Sequence, residues 1–289
     1  MLNSTLPPID YLVIGHLACD RTPDGNTLGG TAAYASLTAA VLGQRTGIIT
    51  ATGRDVSLTS INHLPRAGIL VPQSTTFENI YTPDGRTQIL HHHAPILTPD
   101  MIPASWQDAS IVHIAPIVHE VAPDLLNWFP DSFIGVTPQG WLRQWDSSGR
   151  VTPGDWPEFA QHLPKAHAAV ISIEDVAGDE TKIQEMAAVC PVFVVTEGPR
   201  GTRLFIEGIS TRVDTLSVVE MDATGAGDIF AAVFFIYLHW TGNPFEAAHI
   251  ATHLAAQSIT RPGLSGIPTV EEIRTFRELF EHDTCLYAR

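Results

Sequence analysis

Short, mostly apolar runs recur along this chain with helix-length spacing between them, and they constrain the fold more than any other feature. Tyr11-Leu12-Val13-Ile14-Gly15, Gly47 to Thr52, Ser110 to Ala115, Phe133 to Thr137, Ala168 to Ile173 and Val192 to Thr196 are such runs. They read as strands buried on both faces, because a strand with one wet face alternates apolar and polar residues. Gly30 to Leu42 has the small and apolar spacing of a helix. Strands of this kind separated by helices predict an α/β fold, a mostly parallel sheet covered on both sides. One stretch departs from the pattern. Ser74 to Tyr81 and Arg86 to His92 flank Thr82-Pro83-Asp84-Gly85, which reads as a hairpin with Pro and Gly in the turn. With 289 residues, 44% of them apolar, and no compositional break, repeat or linker, the expected organisation is one domain over 1–289. A small β lid would come from about 20–29 and 74–93.

The segment Met221-Asp222-Ala223-Thr224-Gly225-Ala226-Gly227-Asp228 precedes the apolar run Ile229 to Leu238. A glycine-rich turn thus opens a buried helix. Gly225 and Gly227 let the backbone curl and approach a ligand without a Cβ in the way. The first helical amides lack internal partners and, with the helix dipole, suit an anion. Asp228 is out of place beside a phosphate unless its carboxylate takes the proton of an attacking hydroxyl. The plain alternative is an acid that favours a helix N-terminus.

Several classes are excluded by what the chain lacks. Its only lysines are Lys165 and Lys182, preceded by Pro and Thr, so it has neither a Gly-Lys-Ser/Thr phosphate loop nor the Val-Ala-Ile-Lys strand of protein kinases. Phe230 stands where a dinucleotide fingerprint needs Gly or Ala. A net charge of −15 opposes binding to nucleic acid or to an anionic membrane. Three scattered cysteines, Cys19, Cys190 and Cys285, make neither a disulfide framework nor a zinc site. His91 and His93 share a strand face, but no further ligand is spaced to join them, so a polar strand end is the better reading. His113, His119, His249 and His253 fit strand ends or helix faces. Met1 to Asp10 has no secretory signal, and ten apolar residues do not span a bilayer, so a cytoplasmic protein is expected.

Three motifs in this order resemble the ribokinase family, also called PfkB carbohydrate kinases. Asp222-Ala223-Thr224-Gly225-Ala226-Gly227-Asp228 is similar to the family's Asp-Thr-x-Gly-Ala-Gly-Asp signature, with Ala223 in place of Thr or Ser. Asp20 followed by Gly29-Gly30 and a helical run resembles the N-terminal signature. Val194-Val195-Thr196-Glu197-Gly198-Pro199-Arg200-Gly201 resembles the strand and loop that flank the nucleotide. The resemblance implies a ribokinase-like fold and an ATP-dependent kinase that uses Mg²⁺. It also implies Asp228 as base and an anion hole of amides from Ala223 to Gly227, with Gly225, Ala226 and Gly227 at its centre. Thr196, Gly198 and Gly201, with Ala223 and Thr224, would line the donor, and Arg200 is a further phosphate contact.

On the acceptor side, Asp20 follows a buried strand, where α/β sheets bind ligands, and one carboxylate can hold two vicinal hydroxyls. In the family the matching Asp contacts the substrate hydroxyls, and Gly29 and Gly30 match the pair that lies against it. Tyr34 replaces the family's Asn, an aromatic suited to stacking on a ring. Ser172-Ile173-Glu174-Asp175 stands where the family carries Asn-x-x-Glu, which makes Glu174 and Asp175 candidate magnesium residues, against a simple helix start. Only eight residues separate Asp20 from Gly29, room for a short ribbon, so Ser74 to His92 would supply most of the lid. Asp20 and Asp228 together repel a phosphorylated acceptor, although Arg54, Arg86 and Arg143, remote in sequence, could fold into the pocket. The expected acceptor is therefore neutral: a sugar, cyclitol or nucleoside. A non-catalytic binding protein on the same fold is the alternative, and a nucleotide-dependent oxidoreductase is disfavoured. Monomer and homodimer both fit.

Overall fold

The computed structural model describes residues 6–82 and 85–287. Pro83 and Asp84 of the expected hairpin turn lie outside them, as do residues 1–5 of the Met1–Asp10 segment. In chain order the elements begin with β1 (Tyr11–Ile14), β2 (Ala18–Thr22), β3 (Gly25–Gly29), α1 (Thr31–Val41), β4 (Thr46–Thr52) and β5 (Arg66–Leu70). Then follow β6 (Thr75–Thr82), β7 (Gly85–His92), β8 (Ile111–Ile114), β9 (Phe133–Val136), β10 (Arg143–Trp145), β11 (Val151–Pro153) and α2 (Phe159–His162). The chain continues through β12 (Ala168–Ser172), α3 (Glu180–Val189), β13 (Val192–Thr196), β14 (Thr202–Ile206) and β15 (Ile209–Val213), and closes with α4 (Ala226–Thr241), α5 (Pro244–Ser258) and α6 (Val270–Tyr287).

Among the described residues the central sheet has nine strands, in the order β15-β14-β13-β12-β9-β8-β1-β4-β5. The seven strands from β13 to β5 are parallel, and β14 and β15 add an antiparallel edge. Every residue of β1 and β8 is buried, as expected for strands packed on both faces. Two apolar clusters result, one on each side of the sheet.

Helix α4 lies inside the first cluster, and all of Ile229 to Leu238 is buried. A helix apolar all round belongs in a core, between other elements; here these are α1, α5 and the sheet. The fit is close enough that a Cβ on Gly135 in β9 would overlap the Phe235 ring. His113 of β8 is fully buried beside the same ring. Its Nδ1 is 2.9 Å from Tyr11 Oη and its Nε2 2.9 Å from Thr137 Oγ1, and burial lowers its pKa to about 3. It is a satisfied, neutral core histidine.

The lid is a second sheet of four strands, in the order β3-β2-β6-β7. The 20–29 segment contributes more than the short ribbon read from its length. Because β2 starts at Ala18, twelve residues suffice for a complete hairpin, Ala18 pairing with Gly29 and Thr22 with Gly25. Half of the lid strands therefore come from this segment. Asp20 accordingly sits within a strand, with Thr27 opposite on one side and Phe77 of β6 on the other. His91 Nε2 lies 2.7 Å from Glu78 Oε2 of the neighbouring lid strand.

Candidate functional site

The head of α4 is built by three contacts. Asp222 Oδ1 accepts from the Thr224 amide at 2.9 Å and Oδ2 from the Gly263 amide at 2.8 Å, which ties the turn to the segment after α5. The amides of Met221 and Asp222 both donate to Ile259 O. Gly225 then takes φ +81°, the left-handed region that favours glycine, and a Cβ there would overlap the Tyr34 ring. Tyr34 is 2% exposed and packs beneath this turn. Its ring supports Gly225 and is not presented for stacking on an acceptor, which corrects that expectation. An aromatic in place of an amide became core because the turn lies directly over it.

Gly227 differs from Gly225. Nothing lies within 4 Å of a Cβ placed on it, so no protein neighbour requires glycine. Its exposed backbone faces open space, which is the arrangement a ligand needs to lie against the helix N-terminus. Among the described residues no backbone hydrogen bond takes the amides of Gly227 and Asp228, whereas Ala226 N donates to Ala223 O. Ala223 is exposed and Thr224 half-buried on the approach to the turn.

Asp228 is half-buried, in the first turn of α4. Burial raises its pKa to about 6; a hydrogen bond with Thr31 and the charge of Arg143 oppose this, and the charges of Asp175 and Asp20 add to it. Thr31 opens α1 directly after Gly30, whose φ is +84° and whose Cβ would crowd His16 O. Gly29 leaves room for Asp20, since a Cβ there would overlap the Asp20 carboxylate. The structure thus brings Asp20, Gly29, Gly30 and Asp228 together around one site.

On the other side, β12 and β13 end in register, Ser172 opposite Thr196. Thr196 Oγ1 donates to Ile171 O at 3.3 Å. Glu197 N donates to Gly201 O and closes the β13–β14 hairpin. Gly201 has φ +79° and a Cβ would overlap Val213 O, whereas Gly198, at φ +58°, faces open space. Glu197 is buried among arginines: Arg212 Nη1 at 2.9 Å, Arg200 Nε at 3.7 Å, and Arg203 Nε at 2.6 Å but off the hydrogen-bond axis.

Ser172 and Asp175 form a capping box. Ser172 N donates to Asp175 Oδ2 at 2.8 Å and Glu174 N to Ser172 Oγ at 3.2 Å. Gln139 Nε2 donates to Asp175 Oδ1 at 3.2 Å. Both Asp175 oxygens are thereby engaged in the fold, and burial raises its pKa. Glu174 is exposed and lines an open cleft of about 580 Å³ with Ile173, Ala177, Gly178, Glu180 and Arg200. Among the described residues no three His, Cys, Asp or Glu side chains are grouped to hold a metal. Magnesium fits this donor set only in its usual form, through one or two carboxylates, donor phosphates and water. Glu174 is the acid placed for that.

Sequence reasoning missed Gln139 and Gly140, and named Arg143 only as a distant arginine able to fold into the pocket. Gln139 reaches Asp175, Gly140 is so close to Pro116 and Ile117 that a Cβ would overlap their backbone, and Arg143 Nη1 donates to Ile117 O at 3.1 Å. Glu120 was missed as well. It is 1% exposed and accepts from the amides of His16, Ile117 and Val118, pinning the loop after β8 to the start of the lid. No periodicity marks either feature, because Gln139, Gly140 and Arg143 meet partners more than twenty residues away and Glu120 reaches back to His16.

The sheet, the lid and the carboxylate at a helix N-terminus define a ribokinase-like fold. A pyrophosphate-dependent kinase in the ribokinase family, complexed with a pyrophosphate analogue and myo-inositol, superposes with a TM-score of 0.76. It is 20% identical, covering 91% of this chain and 99% of the other. Arabidopsis thaliana ribokinase, complexed with ribose and ATP, superposes with a TM-score of 0.69 at 15% identity, covering 94% and 98%. Residues 162–270 match the family described as pfkB family carbohydrate kinase. Inositol 3-kinase from Zea mays is 25% identical over 311 aligned residues, 96% of this chain and 79% of that protein. The chain thus carries a pfkB family carbohydrate kinase match and is similar along most of its length to phosphotransferases that act on hydroxyl groups. Among the described residues no helix is long and apolar enough to cross a membrane.

Proposed function

We propose that this protein transfers the terminal phosphoryl group of ATP to a hydroxyl of a small neutral cyclitol, sugar or nucleoside, and that a cyclitol is its acceptor. The observation that carries the reading is Asp228. A carboxylate raised to about 6 by burial, hydrogen-bonded to Thr31 and set at an open helix N-terminus, is placed to accept a proton at neutral pH. Asp20 would hold vicinal hydroxyls of the acceptor and orient one of them toward Asp228. As that oxygen attacks, its proton passes to an Asp228 carboxylate oxygen. The amides of Gly227 and Asp228, within the Ala223–Gly227 turn, hold the charge that develops on the phosphoryl oxygens. Thr196, Gly198 and Gly201 line the donor end, where Glu174 and Arg200 share a cleft. Magnesium, when bound with the donor, neutralises phosphate charge there.

The choice of a cyclitol rests on the similarity to inositol 3-kinase along nearly the whole chain and on the neighbour that holds myo-inositol. Asp20 and Asp228 at the acceptor place disfavour an anionic one. The test is phosphoryl transfer to myo-inositol, ribose, fructose, cytidine and fructose 6-phosphate, with ATP–Mg²⁺ and pyrophosphate–Mg²⁺ as donors and the product identified by phosphorus NMR. Turnover of myo-inositol with ATP is expected. Turnover of a sugar phosphate alone would refute a neutral acceptor, and no transfer to any of these would refute the kinase reading.

A further inference from the structure

The short segment between β9 and β11 touches both walls of the site. At its start Gln139 donates to Asp175, on the side where β12 ends. At its other end Arg143, the first residue of β10, reaches the lid. Its guanidinium carbon stands 5.6 Å from the centre of the Phe77 ring, and Nη1 donates to Ile117 O at 3.1 Å. Phe77 is the register partner of Asp20 across β2 and β6, and partners in parallel strands share a face. The guanidinium therefore lies on the Asp20 side of the lid. Its backbone is held too: Arg143 O accepts from His119 Nε2 at 2.7 Å, and β10 pairs with β11.

Charge supports the same placement. Arg143 is the cation whose field acts on both Asp228 and Asp175, the carboxylates on either side of the path between acceptor and donor. A polyphosphate donor brings further negative charge into a site that already holds Asp20, Asp175 and Asp228. The helix N-terminus offers only partial charges against it. An arginine stays protonated in any such surroundings and presents a planar fork that matches phosphate oxygens.

We propose that Arg143 is a catalytic residue of this site: its guanidinium, braced by Ile117 O and the Phe77 ring, binds the phosphoryl group in transit to the acceptor hydroxyl. The proposal rests on the kinase reading above. In the step, a bond forms between the acceptor oxygen and the terminal phosphorus, and the bond from that phosphorus to the bridging oxygen breaks. The electron pair leaves with ADP and the hydroxyl proton goes to Asp228. Arg143 exchanges no proton; it holds equatorial oxygens whose charge is greatest midway. Because its brace is a lid residue, lid and cation move as one unit.

The test compares wild type with Arg143→Gln and Arg143→Lys, using ATP–Mg²⁺ and myo-inositol. Removal of one preorganised donor costs about 10²–10³-fold in kcat, and that loss is expected for Arg143→Gln. Arg143→Lys keeps a charge over Phe77 without the fork; it should lose at least about tenfold. Calorimetric affinity for the β,γ-imido analogue of ATP should change less than about threefold, because the contact is made in transit. The acid limb of kcat/KM should move to higher pH in Arg143→Gln, since the cation that favours ionised Asp228 is gone, a change a merely structural role would not produce. Either variant with kcat within about threefold of wild type overturns the proposal and leaves the kinase reading standing. So does a loss of analogue affinity equal to the loss of kcat. If the wild type transfers phosphate to none of the acceptors, the kinase reading fails and this proposal with it.

Discussion

Replacing Asp228 with Asn should make the protein more stable and nearly inactive, and the size of the gain follows from its surroundings. The Asp228 carboxyl titrates at about 6 in the fold, against 3.8 for an unperturbed aspartate. Each tenfold change in a proton-binding constant is worth about 1.4 kcal/mol, so the rise from 3.8 to about 6 corresponds to about 3 kcal/mol. Well below pH 3.8 the group is protonated in both folded and unfolded chains and costs nothing. As pH rises through 4 to 6 the unfolded chain ionises first, and above 6 the fold bears the full cost of the charge. Asn keeps an acceptor oxygen for Thr31 and carries no charge. Asp228→Asn should therefore melt higher than wild type at pH 8, by about 2–4 °C per kcal/mol, and by only a small fraction of that gain at pH 4. Differential scanning calorimetry at the two pH values measures this. In the same variant kcat should fall about 10²–10⁴-fold. An Asn variant that is no more stable at pH 8 than wild type, or equally stabilised at both pH values, would refute the raised carboxyl; near-normal kcat would refute the base.

The two glycines of the turn should separate stability from activity. Gly225→Ala, at φ +81° and against the Tyr34 ring, should lower stability by roughly 1–3 kcal/mol in a denaturant titration. Gly227→Ala, with open space around the new Cβ, should leave the melting temperature within about 2 °C but raise KM for ATP or lower kcat about tenfold or more. Equal effects of both on stability would refute the assignment of open space at Gly227 to a ligand. Asp20→Ala should raise KM for the acceptor at least about tenfold, because a charged hydrogen-bonding partner of two hydroxyls is lost, while ATP affinity by calorimetry changes little. A larger effect on ATP than on the acceptor would move Asp20 out of the acceptor site.

Some of this was legible in the residues alone. Continuous apolar runs signal strands buried on both faces, and the parallel sheet follows from that local pattern. The turn at Gly225-Ala226-Gly227-Asp228 is equally local, since a helix end exposes its own amides. Glycine by itself does not say why it is needed, however. Gly225 answers to Tyr34, far away in sequence, and Gly227 to empty space, and only coordinates distinguish the two. Tyr34 itself read as a ligand contact because an aromatic in place of an amide has no visible neighbour in one dimension; the turn that covers it arrives some 190 residues later.

The buried strands, the glycine-rich turn and its carboxylate are written in the residues themselves, because each depends on positions within a few places of one another. The charge state and the company of that carboxylate belong to the folded chain. Burial raises the Asp228 pKa, Thr31 at the head of α1 donates to it, and Arg143 at the start of β10 reaches Phe77, the lid partner of Asp20. Electrostatic interactions and close packing act through space over a few ångströms. The chain brings these partners within that range only when the sheet, the lid and α4 have closed around one point.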